Sequence, residues 1–153
     1  MIELDYNILY LSFPPNESID LTLVGETEFR YNLFLGDIRF VLADTDFSVS
    51  WGWIPILDFA LSLYWLLTRL PTERVETFEF TESEAQIKFL LVGEMVEVSA
   101  TYSDAKASVP YQQLCKSTYR FLQRVITDLV GRYPELPNNP VFASFRRAAF
   151  EEI

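Results

Sequence analysis

Apolar and polar residues alternate through much of the first fifty positions. Leu4, Tyr6 and Ile8 alternate with Asp5 and Asn7, and Tyr10 and Leu11 continue the run. A period of two puts one set of side chains on one face of a strand. Pro14-Pro15-Asn16 breaks the chain. Ile19, Leu21 and Leu23 then alternate with Asp20 and Thr22, and Phe29, Tyr31, Leu33 and Leu35 with Glu28, Arg30 and Asn32. Ile38, Phe40 and Leu42 resume the period beyond Gly36-Asp37, so that pair reads as the turn of a hairpin spanning Phe29–Phe40. Phe47-Ser48-Val49 reads as a further short strand.

The pattern then changes. Ile54 to Leu70 is almost wholly apolar, with Pro55 suited to a first helical turn and Pro71 as the stop. Its length approaches the roughly 17 residues of a short membrane span. Asp58, Ser62 and Arg69 nevertheless share one narrow stripe of that helix, and an acid buried in lipid has no partner. A helix wrapped by other elements, with one thin polar stripe, is the preferred reading. A meander follows, roughly Val75–Phe80, Gln86–Val92 and Met95–Tyr102, with turns at Glu82-Ser83-Glu84 and Gly93-Glu94. Phe78, Phe80, Val96 and Val98 take its inner face, and Glu79 and Glu97 its outer one.

Pro110 opens a second long helix and Gly131 closes it, with Leu114, Thr118, Leu122, Val125, Leu129 and Tyr133 as the inner stripe. Pro134 to Pro140 is a stiff connector. Asn139 caps a last helix with Pro140 at its first position and Phe142, Phe145, Ala149 and Ile153 on one face. The expected class is α+β, a mostly antiparallel sheet packed on a buried central helix and C-terminal helices. At 153 residues, half of them apolar, a single domain over 1–153 is expected.

Charge is split along the chain. The first 104 residues hold 18 acids and 5 bases, and the last 49 hold 4 acids and 7 bases, for a net −10. Such a chain disfavours nucleic acid, itself a polyanion, and favours basic partners. Acids stand where a signal peptide needs bases, and the lone Cys115 cannot form an internal disulfide, so a cytoplasmic protein is expected.

The chain has no histidine. That excludes a Ser-His-Asp triad, a Cys-His pair and imidazole metal ligation. Its five glycines are scattered, so no phosphate loop exists. Neither catalytic residues, nor a metal, nor a cofactor are expected. Cys115 reads as a small buried hydrophobe.

Glu73, Glu76, Glu79, Glu82, Glu84, Glu94, Glu97 and Asp104 crowd the meander, opposed only by Arg74 and Lys88. They read as a solvated face, as a docking surface for a basic protein, or as a carboxylate pair for acid–base work. Glu76, Glu79, Glu94 and Glu97 are the candidate partner-binding residues. Lys116, Arg120 and Arg124 form a basic stripe, solvated or paired with sheet acids in preference to binding an anion, with Asp128 relieving Arg124.

The hairpin, the acidic meander from Glu73 to Glu97 and the flanking helices give a layout that resembles bacterial immunity proteins of polymorphic-toxin and contact-dependent inhibition systems. Those are small, acidic α+β proteins without enzyme motifs. The resemblance implies a stoichiometric inhibitor of a cognate toxin, often a basic nuclease. A non-catalytic binding protein is therefore the leading expectation. The alternatives are a small hydrolase or ligand-binding enzyme, using Asp58 with Tyr64 or the meander acids, and an oligomeric structural subunit. If the acids are only solvated, the Trp51–Trp53 segment or the basic helices become the place to look.

Overall fold

The computed structural model of the chain describes residues 1–12, 19–81 and 83–151. Strand β1 (Ile2–Tyr10) leads to a short helix α1 (Glu26–Tyr31), strands β2 (Leu35–Leu42), β3 (Thr45–Asp46) and β4 (Val49–Pro55), and the long helix α2 (Ile56–Glu73). Strands β5 (Val75–Glu79), β6 (Gln86–Val92), β7 (Met95–Ala100) and β8 (Ser103–Pro110) follow. Helix α3 (Tyr111–Arg132), a 3-10 turn (Leu136–Asn138) and α4 (Pro140–Glu151) complete the order. The class is α+β with antiparallel strands, as the patterning predicts. The strands form two sheets. In the first, β2 lies between β1 on one side and β3 and β4 on the other; the second is the meander β5-β6-β7-β8.

Helix α2 is the strut between them. Leu57, Phe59, Leu63, Leu66 and Leu70 are all buried on it. The Phe59 ring alone meets Phe40 of β2, Phe78 of β5 and Phe121 of α3, at 6.1, 5.2 and 6.1 Å between centroids. Burial of large aromatic area on both sides makes one continuous core. Its polar stripe is used internally: Arg30 of α1 donates to Asp58 and, at 3.2 Å, to Ser62, while Arg69 pairs with Glu76 of β5 at 2.7 Å. Among the described residues no helix is long and apolar enough to cross a membrane.

The first fifty residues depart most from their pattern. The Phe29–Phe40 hairpin is not formed. Residues 26–31 are helical, and the buried pair is Phe29 and Leu33, spaced by four, while Tyr31 is 47% exposed. The run satisfies a period of two and an i, i+4 spacing together, and tertiary burial chose the second. Gly36-Asp37 lies inside β2. A Cβ on Gly36 would come within 1.8 Å of the Asn7 carbonyl oxygen, so this glycine serves close strand approach. Ile19 to Leu23 is not a strand. Leu21 is buried and Leu23 is 80% exposed, around a turn in which Asp20 accepts the Thr22 N–H at 3.0 Å. Phe47 is the buried link between β3 and β4 rather than part of a strand.

Helix α2 also runs past its expected stop, through Pro71 to Glu73. It ends where Arg74 adopts a left-handed φ of 69° and returns its N–H to the Leu70 carbonyl at 2.8 Å. Strand β8 carries no alternating signal of its own, since Ser103–Pro110 offers only Ala107 and Val109 to the core. Asn139 caps α4 as expected, accepting the Val141 N–H at 2.8 Å. Its amide nitrogen donates to the Leu21 and Val24 carbonyls, both at 2.8 Å, and ties the α1 approach to α4. The Pro14-Pro15-Asn16 break, Glu82 of the Glu82-Ser83-Glu84 turn, and Ile153 lie outside the described residues.

Candidate functional site

The Trp51-Gly52-Trp53 segment forms a bulge. Between the pairs Gly36–Ile54 and Ile38–Val49, Asp37 of β2 faces four residues, 50–53, of β4. Gly52 has a φ of 82°, which a side chain would disfavour, and its N–H donates to the Asp37 carboxylate at 2.7 Å. The bulge stands the two indoles side by side, 5.1 Å apart and 19° from parallel. Trp51 also meets the edges of Phe80 and Tyr102, at 5.1 and 6.2 Å. Tyr102 is fixed in turn by donating its hydroxyl to the Phe47 carbonyl at 2.7 Å.

The result is an aromatic shelf where the two sheets meet. Trp51 is 37% exposed, although rings hold it from several sides. Exposed Leu9 stands beside it, its side chain 3.7 Å from where a Cβ on Gly52 would sit. Two carboxylates stand at the shelf: Asp37 holds the bulge at Gly52, and Asp46 lies close to the Tyr102 hydroxyl, while Glu79 and Asp104 are its near neighbours in sequence. Burial, and to a lesser degree the Asp46 carboxylate, push the Tyr102 hydroxyl pKa up. The Ser48 hydrogen bonds hold the Asp46 carboxyl below its usual range, so it stays charged.

The four meander acids do not converge. Glu79 and Glu97 are both exposed. They stand two strands and four residues apart by register, or roughly 16 Å at ordinary strand spacing. Glu79 accepts from Gln86 at 3.3 Å. Glu97 sits diagonally between Lys88 and Lys106. Glu76 points to the inner side, against Arg69, and Glu94 lies exposed in the β6–β7 turn.

Asp58 lines a cleft of about 350 Å³ that also reaches Glu79, Arg69 and Thr77. Burial pushes its carboxyl pKa up, against the pull of Arg30 and Ser62. Arg30 in turn lies over the Trp65 ring at 5.3 Å. The Asp58 carboxylate is therefore engaged rather than presented. Tyr64 is not part of the cleft; its ring packs on Tyr119 at 5.9 Å. Cys115 is half-buried, less enclosed than expected, and burial raises its thiol pKa, which works against nucleophilic reactivity. Among the described residues no three His, Cys, Asp or Glu side chains gather as a metal site.

Lys116 and Arg120 are exposed. Arg124 turns to the open edge of β1 instead, donating to the Leu4 carbonyl and standing 3.6 Å from Asp5. Asp128 does not relieve it. That acid pairs with Arg132 at 3.2 Å and accepts the Tyr6 hydroxyl at 2.6 Å. The sequence signalled the shelf through its W-G-W triplet; Phe80, Tyr102 and Asp37 are joined to it only by folding.

Comparison with protein-family models, with curated proteins and with solved structures finds no match for this chain.

Proposed function

We propose that this chain is a non-catalytic binding protein, an inhibitor of the immunity kind that neutralises a basic toxin by one-to-one binding. The aromatic shelf carries the reading. Tryptophan and tyrosine dominate the energetics of protein interfaces, most of all where they are rigid and central. Trp51 is both exposed and braced by Trp53, Phe80 and Tyr102. The carboxylates at the shelf complement lysine and arginine, which also stack on indole faces. A net charge of −10 adds long-range steering toward a basic partner.

A small hydrolase remains the second reading, because Asp58 and Glu79 share one cleft. Against it, the Asp58 carboxylate already serves Arg30 and Ser62.

The neighbouring gene supplies the test. Its product is expected to carry a basic toxin domain that forms a one-to-one complex with this chain and is harmless when co-expressed with it. Trp51→Ala should weaken the complex by about thirtyfold or more, the scale of an interface hot spot. Unchanged affinity and protection in that variant would overturn the assignment to the shelf. Substrate turnover lost in Asp58→Asn would favour the hydrolase.

A further inference from the structure

The outer face of the second sheet has a composition unlike the rest of the molecule. Helices α2 and α3 pack on its other side, over Phe78, Ile87, Phe89, Val96, Val98 and Val109. Among the described residues no helix is packed on the outer face in that way. By register, Thr77, Lys88, Ser99 and Lys106 form one cross-strand row, and Val75, Leu90, Glu97 and Ser108 form the next. Val92 and Met95 pair beyond them at the hairpin end. Val75, Val92 and Met95 are 42, 51 and 38% exposed.

Charge on this face is the second observation. The chain has three lysines, and two of them, Lys88 and Lys106, stand here. Glu97 lies diagonally between them, yet none of the three makes an ion pair or a side-chain hydrogen bond among the described residues. A shallow hollow in the face is lined by Lys88, Leu90, Glu97, Ser99, Lys106 and Ser108. The two central rows hold two lysines against one glutamate, with Glu79 and Asp104 following on the same face toward the shelf. These rows suit a basic partner less than the shelf does.

We infer that this face pairs with the same face of a second copy. A two-fold axis in the plane of the interface, between the Lys88–Lys106 row and the Glu97 row, lays each row over the other. Each Glu97 then falls into the gap between the second copy's Lys88 and Lys106. Unpaired charges of both signs become three-residue clusters, and the lysine stems cover Leu90. A copy with net charge −10 is otherwise repelled by its twin. Here the contact falls on the rows where two lysines answer each Glu97. Four strands of about six residues span roughly 20 Å by 20 Å, about 400 Å² a side, which is below a standard stable interface and suits a weak, reversible dimer. The dimer should accordingly form in the micromolar range, about 1–100 μM. The shelf, at the Glu79 end of the sheet, stays outside the contact.

Sedimentation equilibrium of the full chain, from about 1 to 200 μM, tests the inference against that range. The expected result is a concentration-dependent rise from 17.8 kDa toward twice that mass. Glu97→Lys should weaken association by about tenfold or more, because three positive charges then oppose three. Adding Lys88→Glu and Lys106→Glu to it should restore the dimer. Zero-length carbodiimide cross-linking should join Glu97 to Lys88 or Lys106 between differently labelled copies. Circular dichroism confirms that each variant is folded, and all three substitutions lie on an exposed face. A chain that stays at 17.8 kDa throughout, or a dimer indifferent to Glu97→Lys, overturns the inference. Neither result touches the shelf, whose test is toxin binding by Trp51.

Discussion

Tyr111, the first residue of α3, donates its hydroxyl to the Leu67 carbonyl of α2 at 2.6 Å. That carbonyl is the one Pro71, four residues on, leaves without a backbone donor. A side chain from another helix thus fills a gap in the ladder of α2, and the helix continues past its proline. Tyr111→Phe should cost about 1–2 kcal/mol, the scale of a buried carbonyl losing its donor. In a Pro71→Ala background, which restores an N–H at that position, the same change should cost well under half as much. Chemical denaturation of the four proteins gives the coupling. Equal costs in both backgrounds would show that the hydroxyl does not stand in for the missing N–H.

Asn139 separates two roles that a cap usually combines. Its oxygen caps α4 and its nitrogen donates to two carbonyls of the 21–24 turn. Asn139→Asp keeps a good cap but loses both donations and turns a buried carboxylate toward carbonyl oxygens. Both Asn139→Asp and Asn139→Ala should cost roughly 2–4 kcal/mol. If the aspartate variant unfolds within about 0.5 kcal/mol of the parent, the tie to the turn contributes little.

The Arg30–Asp58 pair gives a pH signature. Burial raises the Asp58 carboxyl pKa in the folded chain, so the fold holds that proton more tightly than the unfolded chain does. Its contribution to stability is full below the ordinary aspartate pKa and is lost as pH rises through the folded value. The stability difference between the parent and Asp58→Asn should therefore shrink as pH climbs above the usual carboxylate range. Carbon-13 titration of Asp58 should show a midpoint above that range; a midpoint below it would reverse the sign. Arg30→Ala, which strands the buried acid, should cost about 3–5 kcal/mol at neutral pH.

The placement of the acids predicts unequal effects on association with a basic partner. Glu79 adjoins the shelf, whereas Glu97 stands between two lysines. Glu79→Gln should slow association about two- to threefold at low salt, fading once the screening length falls below about 8 Å. Glu97→Gln should change it less, with Glu135→Gln at the far connector as the control. Stopped-flow mixing at several salt concentrations measures this. Equal slowing by Glu79→Gln and Glu135→Gln would mean that only net charge matters.

Most of the second half of the chain was legible, β8 being the exception because only Ala107 and Val109 of it face the core. Gln86–Val92 is a strand to the residue, and α3 spans almost the expected range. There alternation or helical spacing was long, and turn residues bounded it. The first half misled where a short window supported two periods, as at Phe29 and Leu33, or where a residue answered to a distant neighbour, as Gly36 does to Asn7. The site divides the same way. W-G-W announced aromatic density, but the bulge depends on Asp37, and the shelf on Phe80 and Tyr102. The meander acids were visible in composition; their dispersal followed from strand register and from Arg69, which no local pattern revealed.

The covering of β1 by α3 bears on how the molecule comes off the ribosome. Tyr6 of the first strand rests its ring on Phe121 at 5.9 Å and its hydroxyl on Asp128. Arg124 closes the same edge. Synthesis is vectorial, so β1 emerges well before the helix that covers it. A nascent chain that has completed α2 still shows an unsheltered strand edge and an apolar strip, the features that invite chaperones or mispairing. Closure of the amino-terminal sheet thus waits until α3 has been made. A premature stop before α3 should yield a fragment handled by proteostasis rather than a smaller working protein.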